Sequence, residues 1–155
     1  MRHAFALIAA ALLTAGCAGI MGGQDSPAND FEREVRANEM RIKEDRTRSN
    51  LAQIESSLSD YIKAGNPIPK SLNKLVPKYL AEVPPLDLPV CGGAESDTVM
   101  VYPSDVLRDG QVNGTRLRGT GRWGYVFTDD RVVIFVDCLK PALNGLPWYQ
   151  VRGVY

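Results

Sequence analysis

Chemistry in this chain is bounded first by what it lacks. Its 155 residues include a single histidine, His3. That residue lies in a leading segment read below as removed, which leaves the remainder without an imidazole. Ser-His-Asp and Cys-His mechanisms need an imidazole to carry the proton, and His-ligated zinc needs one as a donor. Those classes are excluded. There is no Gly-rich phosphate loop, no Gly-x-Ser-x-Gly turn and no metal-ligand spacing. Gly119-x-Gly121 lacks a strand-to-helix context and reads as loop. Ser, Lys, Asp and Glu are available, but no spacing selects a nucleophile or a carboxylate pair. The expectation is a chain that is not an enzyme and that needs no cofactor and no metal.

Two groups of residues remain. One is the three cysteines, Cys17, Cys91 and Cys138. The other is Arg108, Arg116, Arg118 and Arg122, which crowd a Gly-rich stretch opposed only by Asp109. Such a cluster can meet a phosphate or an acidic partner. A solvated loop explains the same residues, because 18 Lys and Arg balance 18 Asp and Glu over the chain. That balance argues against a dedicated nucleic-acid binder.

Cys17 is explained by what precedes it. Arg2 and His3 lead into an uncharged run, residues 4–23, whose apolar core is Phe5-Ala6-Leu7-Ile8-Ala9-Ala10-Ala11-Leu12-Leu13. Small residues, Thr14-Ala15-Gly16, then stand before Cys17. This is the layout of a secretory signal. It resembles the bacterial lipobox, in which a peptidase cuts before a cysteine that carries lipid; Thr14 stands where that pattern has Leu. The resemblance implies a signal peptide over residues 1–16, lipid on Cys17 and a polar tether over residues 17–29. The alternative is an uncleaved span, since about 20 uncharged residues can just cross a bilayer. Its Ala, Gly and Thr content and the Gly22-Gly23 ending weigh against that. Ala18, rather than Asp, follows the cysteine. By resemblance to sorting in Gram-negative bacteria, this implies the outer membrane, facing the periplasm.

Outside the cytoplasm, Cys91 and Cys138 are expected to form one disulfide. The closed loop of about 48 residues contributes roughly 4 kcal/mol in the chain-entropy description. Two free thiols are the alternative.

The elements that must hold these residues follow from pattern. No Gly or Pro interrupts residues 30–64, and Gly65-Asn66-Pro67 ends the run. Asn29 or Asp30 offers an N-cap. One helix of about 35 residues, about 52 Å long, is predicted. Leu51, Ile54, Leu58, Tyr61 and Ile62 form one apolar stripe at 3-4 spacing, which should pack on a sheet. Residues 30–48 are instead dominated by charge, with acid-first i,i+4 pairs at Glu32–Arg36, Glu39–Lys43 and Glu44–Arg48. This half is predicted to protrude. Further on, Ser71 should cap a short helical turn. Residues 83–91 should be extended, because three prolines, Pro84, Pro85 and Pro89, disfavour helix. Strands are predicted over residues 98–102, 123–128, 131–138 and 148–151. Asp129-Asp130 should turn the clearest hairpin, and Asp109-Gly110 and Asn113-Gly114 mark turns within the loop of residues 104–122.

The order of these elements resembles a known family. The Tyr61 helix end, Asn66-Pro67-Ile68-Pro69, the string Ser71-Leu72-Asn73-Lys74-Leu75-Val76-Pro77-Lys78-Tyr79-Leu80, Pro84-Pro85 and Trp123-Gly124-Tyr125-Val126 are similar to the globular part of type II secretion pseudopilins and type IV pilins. The resemblance covers residues 38–136 and is carried mainly by residues 71–80. It implies an α+β fold in which a long N-terminal helix packs on a small antiparallel sheet. It further implies a role in a secretion or pilus system. The family's apolar N-terminal helix, both anchor and filament core, is missing here; Cys17 and a charged helix stand in its place. The family's acidic calcium loop is also not evident: Asp129-Asp130 is the nearest acidic pair, and a hairpin turn accounts for it.

Two function classes are carried forward. The first is a lipid-anchored envelope protein, with residues 30–155 forming a pilin-like domain that docks a protein partner. The second is a binding module for an anionic ligand, a glycan or a nucleic acid, through Arg108, Arg116, Arg118 and Arg122 in the 104–122 loop. No small-molecule substrate is expected, and a nucleic acid is the less favoured partner.

Overall fold

The computed structural model describes residues 27–92 and 94–152. Helix α1 runs Pro27–Lys63. It starts two or three residues before the expected cap at Asn29 or Asp30, with Pro27 at its first position, where a missing N–H costs nothing. It ends where expected: Gly65 takes a positive φ of 81°, and the Asn66 side-chain amide donates to the Tyr61 carbonyl at 2.8 Å.

Residues 66–92 then wrap the end of the helix and the sheet. Prolines deny this stretch a hydrogen-bonding ladder of its own, so its carbonyls need other donors. Side chains supply them. Ser57 donates to the Tyr79 carbonyl, Asn50 to Pro85, Trp123 to Pro84 and Tyr125 to Pro69. Leu72, Leu75, Leu80, Leu86 and Leu88 are buried beneath it. Residues Leu72–Lys74 form a single 3-10 turn; Ser71 sits at its cap position, but its side chain makes no capping bond.

The main sheet has three strands in the order β1 (Val99–Tyr102), β4 (Trp123–Phe127), β5 (Val132–Val136). β4 and β5 are the expected antiparallel hairpin, closed by the Thr128 amide donating to the Arg131 carbonyl. β1 pairs with β4 in parallel. The sheet is therefore mixed, not antiparallel. The reason is the long connection between β1 and β4, which has room to cross the back of the sheet. This crossover carries a small hairpin, β2 (Leu107–Arg108) and β3 (Gln111–Val112). Asp109 and Gly110 form its two-residue loop, both at positive φ, 52° and 78°, as the favoured hairpin turn requires.

Alternation along β4 and β5 gives the sheet two buried faces. Trp123, Tyr125, Ile134 and Val136 meet Leu51, Ile54 and Leu58 of α1. Val126 and Phe135 point the other way, onto Tyr102, Val106 and Val112 of β1 and the crossover. Gly124 is needed on that second face: a Cβ there would lie 2.3 Å from the Phe135 ring. The predicted strand at residues 148–151 is instead a 3-10 turn, Trp148–Gln150. Its aromatic content reflects core filling, with the Trp148 ring fully buried and the Arg48 guanidinium 5.9 Å from its centroid.

Candidate functional site

The four arginines of the crossover do not converge on one site. Arg108 stands on β2, exposed, with only Asp109 at 4.0 Å. Arg116 ends a 3-10 turn, Gly114–Arg116, and is paired with Asp105 at 2.8 Å. Asn113 sets up this turn by accepting from the Thr115 amide and hydroxyl. Arg118 and Arg122 are exposed, and what they contribute to bonding is backbone. The Arg118 amide donates to the Tyr102 hydroxyl at 3.1 Å, and the Arg122 carbonyl accepts from the Asp137 amide. Only Arg108 of the four borders a depression beside the β2–β3 hairpin. That hollow, of about 470 Å³, is lined also by Asp109, Gln111, Asn113, Tyr149 and Gln150.

The residue that organises the crossover is Asp137, which the sequence reading did not single out. It is fully buried. Its carboxylate accepts from the Tyr102 hydroxyl at 2.7 Å, the Gly119 and Thr120 amides at 3.0 and 2.9 Å, and the Thr120 hydroxyl at 2.6 Å. Successive backbone N–H groups that converge on an anion form a nest, and the positive φ of Gly119 and Gly121 shapes this one. Four donors offset the cost of burying this carboxyl group. Three of the four donors meet Oδ2 and one meets Oδ1, and together they tie the loop to the end of β5. Tyr102 is pushed up to about 12, by burial first and by the Asp137 hydrogen bond second.

The next residue, Cys138, is joined to Cys91, with Cα atoms 5.7 Å apart. The expected disulfide is present. A Cβ at Gly121 would meet the Cys91 carbonyl at 2.8 Å, so the bridge, the nest and the end of β5 form one knot. Among the described residues, no group of three or more His, Cys, Asp or Glu side chains could hold a metal ion.

A second candidate lies at the other end of the molecule. From residue 29 to residue 42 every side chain of α1 is exposed except Met40, which is half-buried. Glu32 pairs with Arg36 at 3.3 Å, as its spacing predicts. Lys43 does not pair with Glu39; it reaches Asp87 at 2.9 Å. Glu44 is buried, accepts from the Leu143 amide at 3.0 Å and lies 3.9 Å from Arg48. Thr47 is buried beside it. Contact with the globule thus begins at Lys43, and the free part of the helix is shorter than residues 30–48. The free part is not purely polar. Phe31 is 68% exposed, Ile42 67% and Val35 39%, and a hollow of about 300 Å³ is lined by Phe31, Glu32, Val35, Arg36 and Glu39.

Cys17, the expected lipid site, lies outside the described residues, as do the predicted signal peptide and most of the tether. Among the described residues no helix is long and apolar enough to cross a membrane. No protein family, curated protein or solved structure matches the chain.

Proposed function

We propose that this protein is a lipid-anchored component of a bacterial cell envelope, held at Cys17, probing the periplasm with a pilin-like domain and serving a secretion or pilus machine through protein contacts. One observation carries the reading. Residues 29–42 extend α1 about 21 Å before its first ion pair with the globule at Lys43, and of their side chains only Met40 is even half-buried. A free helix of this length is marginal in water, so its retention favours a job outside the domain: spacing the domain from a surface and meeting a partner. The expected outer-membrane address adds the surface, and the disulfide is of the kind kept in exported proteins.

The test separates anchor from arm. Replacing Cys17 with Ser should abolish incorporation of labelled fatty acid and move the protein from the membrane fraction to the soluble one. Label retained by the variant would defeat the proposal.

The hollow at Arg108 favours a second reading, a site for an anionic glycan. Tyr149, Gln111, Asn113 and Gln150 line it with Arg108, whose charge is opposed there by Asp109. Binding to an anionic polysaccharide that weakens with salt and is lost in Arg108→Ala would favour it over the first.

A further inference from the structure

We infer that the free end of α1 carries a coiled-coil seam for an amphipathic helix of another protein, one with Lys or Arg flanking its apolar stripe. This deepens the docking role proposed above and rests on it. The seam is Phe31, Val35, Asn38 and Ile42, all exposed. Their spacing is 4, 3 and 4, the a/d repeat of paired helices. The stripe that meets the globule, through Glu44, Thr47, Leu51, Ile54 and Leu58, has the same repeat. Ile42 and Glu44 are about 200° apart around the helix, so the two stripes lie on opposite faces. The outer one is apolar only over the length that the globule does not reach; past Ile42 it continues as Asp45 and Ser49, both exposed.

Charge identifies the occupant. The positions flanking the seam are Glu32, Glu34, Glu39 and Arg41. Glu34 and Glu39 have no ion-pair partner among the described residues, because Lys43 is taken by Asp87. Charge therefore gives pairing with a second copy no net gain. In parallel, Glu34 of one copy would face Glu39 of the other. In the antiparallel register that sets Phe31 against Ile42, Glu32 would face Glu39, and only Glu34 with Arg41 would be favourable. Like charges at these positions select against a pairing, and opposite charges select for it. Asn38 at a seam position would fix register, as a single polar core residue does in other coiled coils. A helix with basic flanks pairs Glu34 and Glu39 and buries the three apolar residues together.

The probe is a pair of labelled amphipathic peptides of about three heptads, Ile and Leu along the seam, one with Lys and one with Glu at the flanking positions. Each is titrated into the full chain, and binding is read by fluorescence anisotropy. The Lys-flanked peptide should bind at least about ten-fold more tightly than the Glu-flanked one. Val35→Asp or Ile42→Asp should remove that binding while the thermal unfolding midpoint stays in place. Replacing Glu34 and Glu39 together with Lys should reverse the preference. Equal affinity for the two peptides, or binding of neither, overturns the inference. So does a dimer of the chain in sedimentation that Ile42→Asp dissolves, because the seam would then take its own copy. None of these outcomes depends on Cys17, so a failure here leaves the fatty-acid test of the anchor standing as a separate result.

Discussion

Leu51, Ile54 and Leu58 are buried against the sheet, whereas Phe31, Val35 and Ile42 on the same helix face solvent. Both sets follow a 3-4 repeat, the outer one completed by the polar Asn38, and both lie in one uninterrupted α1. The difference is in what surrounds them. The inner set has β4, β5 and the wrapping Pro-rich segment to exclude water; the outer set has only its neighbours on the helix. Periodicity therefore identifies a face that can be buried, and a second element decides whether it is. The charged residues obey the same rule. Glu32–Arg36 stays in water, with both side chains more than half exposed, where such a pair contributes little. Glu44 has the same local chemistry but is buried, because the Leu143 amide is placed to meet it.

The sharpest way to break this contrast is to shorten one residue in each half. Leu58→Ala should lower stability by about 2–5 kcal/mol, since it opens a cavity in a packed core. Chemical denaturation measures it, and a silent Leu58→Ala would remove the distinction.

The next effect tests whether the crossover is held as tightly as the inner helix. Asp137→Asn swaps one acceptor for an amide donor that would face the donors of Thr120 and Gly119. A cost of about 1–3 kcal/mol is expected for the unsatisfied buried groups, read as a lower thermal midpoint. Tyr102→Phe should be milder, because it removes one of several bonds to the same carboxylate.

A smaller effect appears on the pH axis. Tyr102 ionises at about 12 in the fold, against an ordinary 10.0. Below pH 10 the phenol is neutral in both states and its contribution is full. Between about 10 and 12 only the unfolded chain loses the proton, so stability should fall over that window. Tyr125, raised mainly by burial, acts in the same direction. Denaturation followed from pH 9 to pH 11 should show a shallower decline in Tyr102→Phe; an identical slope would contradict the assignment.

The smallest effect belongs to the free half. Ile42→Ala should change stability by less than about 0.5 kcal/mol, and removing residues 27–39 should leave the domain folded by circular dichroism. A large loss in either would mean that this half supports the globule after all.

Much of the architecture was legible before the structure. The helix, its inner stripe, the β4–β5 hairpin, the Asp109-Gly110 turn and the disulfide each have a local signal. What was missed depends on distance. Strand direction leaves no trace in alternation, so a parallel β1 reads like an antiparallel one. Trp148 and Tyr149 look like strand because aromatic residues suit strands and cores alike. Asp137 could not be selected, since the partners of its carboxylate lie 17 to 35 residues away in chain order and a lone Asp at a strand end reads as surface. Its placement directly after the apolar run Val132–Val136 and before Cys138 was the only hint. The reach of the free helix was overestimated because Lys43, Glu44 and Arg48 are the residue types of a solvated face, and their partners Asp87, Leu143 and Trp148 come from elsewhere. The four arginines are close in sequence, but the turns between them point the chain in different directions.

The absence of Gly and Pro from α1 between Ala28 and Lys63 also has a mechanical meaning. Sharp bends in helices arise at such residues or at local defects, and none interrupts the passage from Ile42 to Lys43. The helix has no joint where it enters the globule. A load applied at Phe31 travels along an unbroken hydrogen-bond ladder into Leu51, Ile54 and the sheet. Tilt at one end becomes tilt at the other, so whatever grips the free segment also sets the angle at which the β2–β3 hairpin and the Asp137 knot are presented.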